Sequence, residues 1–186
     1  MNIITFTGKR PTGLYGYANQ NHIYDWCVTQ IEDVLKTYVQ EPTEIRTGGA
    51  QGSDMLAFQA SYNLRSTHPV KNTLYLPFPE QADRWPEYGY FNKTIWLRNK
   101  EIADEVNFVS PDNTGNIIQK MHDRNTAMLQ NANRLIAISH TINDLSQIKG
   151  GTGNSIKTAI KLHIPITLIC FNGSCYNATC TIHEYP

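Results

Sequence analysis

The 186-residue sequence lacks a long hydrophobic run, and its first residues show no basic segment followed by an apolar one. A membrane-spanning helix needs roughly 20 consecutive, mostly apolar residues, and a secretory signal needs both parts of the missing N-terminal pattern. These absences argue against an integral membrane protein and against a secreted one. We therefore expect a cytoplasmic protein without membrane contact.

The sequence also has no excess of charge of either sign, since Lys and Arg together number 16 and so do Asp and Glu. Attraction between a net positive protein and phosphates supplies most of the affinity in general nucleic-acid binding. A balanced chain provides no such overall field, and any basic site must be local. Nucleic acid is therefore not expected as a partner.

Cysteine is scarce, with four residues that do not form a metal-binding pattern. Cys27 lies on the apolar side of a helical pattern and Cys170 in a strand-like run, so both are expected in the core. Cys175, Cys180 and His183 would offer three ligands at most, and the cysteine spacing is not typical of zinc sites. We predict no metal and no cofactor, and a reducing compartment argues against a disulfide.

Short β-branched or aromatic runs alternate with segments of helical apolar spacing along the whole chain. The clearest helix covers residues 22–39, and the most convincingly buried strand covers residues 133–139. This alternation predicts an α/β, Rossmann-like fold, a doubly wound and mainly parallel sheet with helices on both faces. Asn172-Gly173 is typical of a turn before a short C-terminal edge hairpin. Residues 1–186 are expected to form one domain.

Two long irregular segments, residues 14–21 and 78–91, interrupt this alternation. Loops of this length in compact domains often take part in binding. The second segment carries Trp85, Tyr88, Tyr90 and Phe91, whose flat faces suit stacking on a nucleotide base. The alternative is packing of these rings onto the body of the protein, which we expect for at least half of them.

A glycine-rich turn follows the second predicted strand, in the segment EIRTGGAQGSD of residues 44–54. Glycine accepts positive φ and brings no Cβ, so backbone N–H groups at such a turn can converge on an anion beside a helix N-terminus. The turn therefore predicts a phosphate site. A plain turn with a helix cap at Ser53 or Asp54 is the alternative. The predicted ligand-binding residues of this turn are Gly48, Gly49, Gln51, Gly52, Ser53 and Asp54.

Right-handed crossovers place every loop that follows a parallel strand at one edge of the sheet. That edge would collect the glycine turn, the cations that follow the first strand and a second glycine cluster near residue 150. We therefore predict one ligand site at this edge. Besides the glycine turn it would contain Gly8, Lys9, Arg10, Ser139, Gly150, Gly151, Thr152 and Gly153.

At these residues the sequence resembles the SLOG superfamily of Rossmann-like proteins, named after the DNA-processing protein A and the LOG cytokinin-activating phosphoribohydrolases. Within it the chain is most similar to small stand-alone bacterial and phage proteins of the YpsA/YspA type. The resemblance implies that Trp85, Arg124 and Asn125 also bind ligand and that the protein forms a homo-oligomer, a dimer or a higher assembly. It rests on TGKRP at residues 7–11, GGAQGSD at residues 48–54, Pro77 with Trp85, Arg124-Asn125 with Met128, and GGTG at residues 150–153.

The resemblance leaves the activity open, because one residue departs from the enzymes of the superfamily. In the phosphoribohydrolases a glutamate that follows the second glycine cluster acts on the N-glycosidic bond of a nucleoside monophosphate, and here Lys157 stands at that position. A lysine can neither stabilise an oxocarbenium-like centre nor activate water as a carboxylate does. We therefore favour a protein that binds a nucleotide or nucleotide-derived ligand (ADP-ribose or NAD-like, or cyclic) and acts as a signal sensor or sequestering protein. A phosphoribohydrolase that uses another carboxylate, such as Asp54 or Glu80, is the alternative, and DNA handling is the least favoured.

Overall fold

The computed structural model of the chain describes residues 1–17 and 21–186, so the predicted loop of residues 14–21 lies partly outside the described residues. The described part contains seven strands and five α-helices. The strands are β1 (Asn2–Gly8), β2 (Thr43–Thr47), β3 (Val70–Leu76), β4 (Glu105–Phe108), β5 (Arg134–His140), β6 (Ile166–Asn172) and β7 (Thr179–Tyr185). The helices are α1 (Asn21–Lys36), α2 (Ser53–Leu64), α3 (Lys93–Ile102), α4 (Ile117–Leu129) and α5 (Gly150–Lys161).

All seven strands belong to one sheet, in the order β4-β3-β2-β1-β5-β6-β7. The first six strands pair in parallel, and β7 pairs antiparallel with β6 at the edge. The predicted Rossmann-like fold and its C-terminal edge hairpin are therefore confirmed. No described helix is long and apolar enough to cross a membrane.

Helices cover both faces of the sheet, as the alternating side chains of β5 demonstrate. Ile136 and Ile138 belong to a core that includes buried side chains of α1 and α2, whereas Leu135 and Ala137 belong to a second core with side chains of α5. Successive residues of a strand point to opposite faces, so these two cores lie on opposite sides of the sheet. Cys27 and Cys170 are fully buried, as expected.

Local sequence sets most helix boundaries. The Asn92 side chain accepts a hydrogen bond from the Ile95 N–H at the start of α3, and Asn116 caps α4 in the same way through the Gln119 N–H. Between β3 and α3, residues 77–92 contain no helix or strand, as predicted. Of the four rings named in the sequence analysis, Phe91 is buried and Trp85 and Tyr90 pack against the core, while Tyr88 is 80% exposed.

Helical apolar spacing predicts a helix that starts at Ser155, whereas α5 begins at Gly150. The second glycine cluster therefore forms the first helical turn and not a loop before it. A Cβ atom on Gly153 would lie 2.3 Å from the carbonyl oxygen of Ile148, so this turn packs closely against the preceding chain. Glycine is a poor helix former, and for that reason the sequence pattern did not extend the helix back to Gly150.

The order of the strands in the sheet determines where a ligand crevice lies. β1 pairs with β2 on one side and with β5 on the other, so the connections that leave β1 and β5 run to opposite faces. In doubly wound sheets such a divergence opens a crevice beyond the carboxyl ends of the strands, and ligands bind there. The crevice here lies beyond Gly8 and His140.

Candidate functional site

A cavity of about 360 Å³ lies at this crevice, between the segments that follow β1 and β2 and the first turn of α5. Side chains of α4 close its remaining side. It brings together nine of the seventeen predicted site residues: Gly8, Lys9, Arg10, Gln51, Asp54, Arg124, Asn125, Gly151 and Thr152.

Cations outnumber carboxylates around this cavity. Lys9, Arg10, Arg124 and Lys149 line it, whereas Asp54 is the one carboxylate among its described lining residues. The Lys9 ammonium donates a hydrogen bond of 3.4 Å to the carbonyl oxygen of Lys149, and the exposed Arg10 guanidinium makes no hydrogen bond to a described residue. A concave surface with an excess of one charge concentrates the field, and here the field favours anions.

The floor of the cavity is a buried ion pair between α2 and α4. Arg124 Nη1 lies 3.1 Å from Asp54 Oδ2, and both side chains are 9% exposed. The same Asp54 oxygen accepts a hydrogen bond of 3.2 Å from the Ala50 N–H, so the carboxylate ties the glycine turn to Arg124. Arg124 Nε is buried and makes no hydrogen bond to a described residue. Buried donors are nearly always paired, so this N–H is an exception at the floor of the cavity.

Two glycines of the turn are required by protein groups and not by a phosphate. A Cβ atom on Gly48 would lie 1.0 Å from Arg124 Nη1, so the guanidinium occupies the space that any other residue would fill. Gly49 has φ of 63°, and its Cβ would lie 2.6 Å from Leu76 Cδ2 in the core. The sequence predicted that these glycines leave space for a phosphate, and in the structure they leave space for protein groups. They allow the turn to close over Arg124 and against the core.

Two hydroxyl groups hold the end of β1 in place from opposite sides. The Ser53 backbone N–H and hydroxyl both donate to the Lys9 carbonyl oxygen, at 3.1 and 2.9 Å. The Thr152 hydroxyl donates to the Gly8 carbonyl oxygen at 2.8 Å. Ser53 is 1% exposed and lies beneath the cavity, so it positions Lys9 and Arg10 without lining the site.

The other predicted residues lie outside the cavity. Ser139 is fully buried, and its hydroxyl donates to the carbonyl oxygen of Ile142, so it does not reach the cavity. Trp85 borders a separate cavity of about 370 Å³ together with Tyr17 and other aromatic rings. The remaining predicted residues, which shape the surrounding turns, are Gly48, Gly49, Gly52, Ser53, Gly150 and Gly153.

Several lining residues were not predicted. Met121 lies three residues before Arg124, and therefore on the same face of the predicted helix. The prediction that Arg124 binds ligand could thus have included Met121. Lys149 directly precedes the second glycine cluster and belongs to none of the motifs on which the site prediction rests. Thr12 and Gly13 follow Arg10 in a short 3₁₀ turn, Pro11–Gly13, and no sequence signal pointed to them.

Gln51 separates the cationic cavity from the aromatic cavity that Trp85 borders, and it lines both. Its Nε2 donates to the Phe91 carbonyl oxygen at 2.7 Å, and its Oε1 accepts from the Tyr17 hydroxyl at 3.2 Å. Trp85 packs edge-on against Trp96, with ring centroids 6.1 Å apart. The two cavities are therefore neighbours with one side chain between them.

Comparison with known proteins places the chain in a family. No curated protein matches it. Among solved structures, the chain is similar to the structural-genomics protein TM1055, with 17% identity, a TM-score of 0.50 and coverage of 89% of this chain and 72% of the other. It is also similar to DNA processing protein A from Streptococcus pneumoniae, with 11% identity and a TM-score of 0.52. That match covers 89% of this chain and 49% of the other, so this chain spans about half the length of that protein.

These structural similarities establish the fold alone. The sequence comparison is more specific, because the model of the YpsA family, described as the YspA SLOG family, matches residues 4–172. The matched segment begins within β1 and ends at the last residue of β6, so it includes every residue that lines the cationic cavity. The chain belongs to the YspA family of SLOG proteins.

Proposed function

We propose that this chain binds a nucleotide or nucleotide-derived ligand, with its phosphate in the cationic cavity and its base in the aromatic cavity beside Trp85. Membership of a SLOG family supports a nucleotide-related role. The position of the cationic cavity supports the same role, because it lies where doubly wound sheets bind ligands.

The observation that carries the proposal is the group of four cations, Lys9, Arg10, Arg124 and Lys149, around a cavity with one described carboxylate. Asp54 neutralises one of these charges and accepts a hydrogen bond from Arg124 Nη1 alone. A phosphate has several acceptor oxygens, so it can bond Lys9 and Arg10 at the same time. Such charge-assisted hydrogen bonds are stronger than neutral ones.

The aromatic cavity supports the proposed binding site for the base of the ligand. Tyr17, Trp85, Tyr88, Tyr90 and Phe91 all border it, and base–aromatic stacking contributes about 1–3 kcal/mol per base. Because the Gln51 side chain lines both cavities, a phosphate held in one leaves the attached nucleoside at the entrance of the other. The sequence predicted one site for these aromatics and the glycine turn, and we propose a ligand that spans two neighbouring cavities.

Binding is better supported than cleavage of the N-glycosidic bond. Asp54 is the one carboxylate among the described lining residues, and it is held by Arg124 and the Ala50 N–H. Lys157, at the position of the phosphoribohydrolase glutamate, is exposed and does not line the cavity. A protein that senses or sequesters a nucleotide signal needs no catalytic carboxylate.

Titration calorimetry with AMP, ADP-ribose and adenosine at one salt concentration tests the proposal. We expect both phosphorylated ligands to bind more tightly than adenosine and to be recovered intact by liquid chromatography after incubation. Mass spectrometry of small molecules released by heating the purified protein would identify a retained ligand. Free adenine from AMP would instead support the phosphoribohydrolase alternative, and no binding of any phosphorylated ligand would contradict a nucleotide site.

Replacement of Arg10 tests which group meets the phosphate. The exposed guanidinium is free to bond two phosphate oxygens at once, so Arg10→Ala should weaken AMP binding by about 1.5–3 kcal/mol, the scale of a hydrogen bond to a charged group. Arg10→Lys keeps the positive charge but loses the paired N–H groups that bond two oxygens at once. It should therefore weaken AMP binding less than Arg10→Ala does. Calorimetry with AMP and with adenosine measures both.

The same titrations with Lys161→Ala, an exposed cation in the last turn of α5, control for general charge loss. We expect no change for this variant. Equal losses for AMP and adenosine in Arg10→Ala would mean that Arg10 supports the turn and does not contact phosphate.

A further inference from the structure

A third cavity, distinct from the two above, is a groove between α1, α2 and the start of α3 with a volume of about 550 Å³. Its floor is partly apolar, with Val28, Met55 and Ile95 among the lining side chains. Its rim is polar and carries two carboxylates, Asp25 and Glu32, and none of its described lining residues is a cation. The groove is therefore negative, opposite in sign to the proposed phosphate cavity.

The two carboxylates occupy opposite ends of the α1 side of the groove. They are seven residues apart, which corresponds to about 10.5 Å along a helix axis. One oxygen of each is engaged, since Asp25 Oδ1 accepts the Tyr90 hydroxyl at 3.0 Å and Glu32 Oε1 accepts the Asn63 amide. The second oxygen of each makes no hydrogen bond to a described residue. Burial raises the pKa of Tyr90, as does its bond to Asp25, so this hydroxyl is a neutral donor.

A buried polar group on the α3 side of the groove is also unpaired. Asn99 lines the groove and is 3% exposed, and its Oδ1 is buried without a hydrogen-bond partner. A buried amide oxygen without a donor is unfavourable by about 1–3 kcal/mol. The groove therefore carries one buried amide oxygen without a donor among the described residues and two carboxylates that each retain an oxygen for a cationic ligand.

We propose that this groove binds a linear aliphatic polyamine. Ammonium groups near the two ends of such a molecule would bond Asp25 and Glu32, and its methylene groups would cover Val28, Met55 and Ile95. A compact metal ion would match neither the separation of the carboxylates nor the apolar floor. The site shares no lining residue with the cationic cavity, so the proposed phosphate and the polyamine bind to different parts of the protein, whereas Gly89, Tyr90 and Phe91 also border the aromatic cavity proposed for the base.

Calorimetric titration with spermidine at physiological ionic strength tests this site. We expect saturable binding with one molecule per chain, weakened on the order of tenfold or more in Asp25→Asn/Glu32→Gln because two charge-assisted contacts are lost. Asp33→Asn is the matched control, since Asp33 is an α1 carboxylate that does not line the groove and pairs with Lys36. We expect this control to bind spermidine as the unchanged chain does.

Two competitors distinguish a polyamine site from general cation binding. Propylamine, with one charge, and Mg²⁺ at matched ionic strength should displace spermidine poorly. The proposal is overturned if spermidine does not bind, if Asp33→Asn weakens binding as much as the double variant, or if Mg²⁺ displaces spermidine as well as a second polyamine does. AMP titrations of the same samples report the cationic cavity separately, so failure of one site does not imply failure of the other.

Discussion

Asp54→Ala is expected to lower the free energy of unfolding by about 3–5 kcal/mol, because it leaves the Arg124 guanidinium buried without its partner charge. The same change removes the acceptor of the Ala50 N–H and so loosens the glycine turn. We therefore expect weaker AMP binding together with lower stability. Urea denaturation with linear extrapolation measures the first effect, and calorimetry measures the second.

The exposed ion pair between Arg65 and Asp104 provides a control of the same chemistry. Its side chains are 33% and 28% exposed, and exposed pairs contribute about 0–1 kcal/mol. Asp104→Ala should therefore have a smaller effect than Asp54→Ala, although Asp104 also accepts the Asn72 N–H. Equal losses for both variants would mean that Arg124 moves into solvent when Asp54 is removed. Tighter AMP binding by Asp54→Ala without a stability loss would contradict the role assigned to this carboxylate.

Gly48→Ala is expected to be comparably damaging, although it adds a single methyl group. Its Cβ would lie 1.0 Å from Arg124 Nη1, so either the guanidinium leaves its position or the turn moves. Both outcomes break the pair with Asp54, and a broken buried pair costs about 3–5 kcal/mol. We expect a marked loss of thermal stability and of AMP affinity, measured by differential scanning calorimetry and by titration.

Two further variants test whether the clash with Arg124 causes the expected loss of stability in Gly48→Ala. Gly151→Ala adds a methyl group that meets no atom closer than Asn125 Nδ2 at 3.9 Å, and alanine is the better helix former in this first turn of α5. It should leave stability unchanged or slightly improved. Gly48→Ala introduced into an Arg124→Ala background should cost much less than in the unchanged chain, because the clash with the guanidinium is then absent and only the contact with Asp54 Oδ2 at 2.8 Å remains. An undiminished cost in that background would place the strain in the backbone of the turn.

The fold was predictable because its signals are local. Alternating strand and helix patterns imply a parallel sheet, and the handedness of the crossovers then brings Lys9, Arg10 and the glycine turn to one edge. The start of α5 was missed because Gly150, Gly151 and Gly153 lower helix propensity, and close packing against Ile148 outweighed that preference.

The interior of the site was not predictable in the same way. A glycine that leaves space for a phosphate and a glycine that leaves space for a guanidinium look the same in the sequence. The contact between Gly48 and Arg124 could therefore be recognised only from the structure. The path of residues 77–92 has no periodicity to follow, so the cavity that Trp85 borders could not be located from the sequence. Ser139 ends a buried strand, and only the fold shows that its hydroxyl points to Ile142.

The hydroxyl groups of Ser53 and Thr152 have a consequence for which ions the cationic cavity accepts. A carbonyl oxygen carries partial negative charge, so a bare one repels phosphate and attracts metal ions. At the end of β1 the Gly8 and Lys9 carbonyl oxygens each accept a hydroxyl hydrogen, and the Lys149 carbonyl oxygen accepts the Lys9 ammonium. These three backbone oxygens are thus shielded, so they repel an incoming phosphate less, and attract metal ions less, than bare carbonyl groups would.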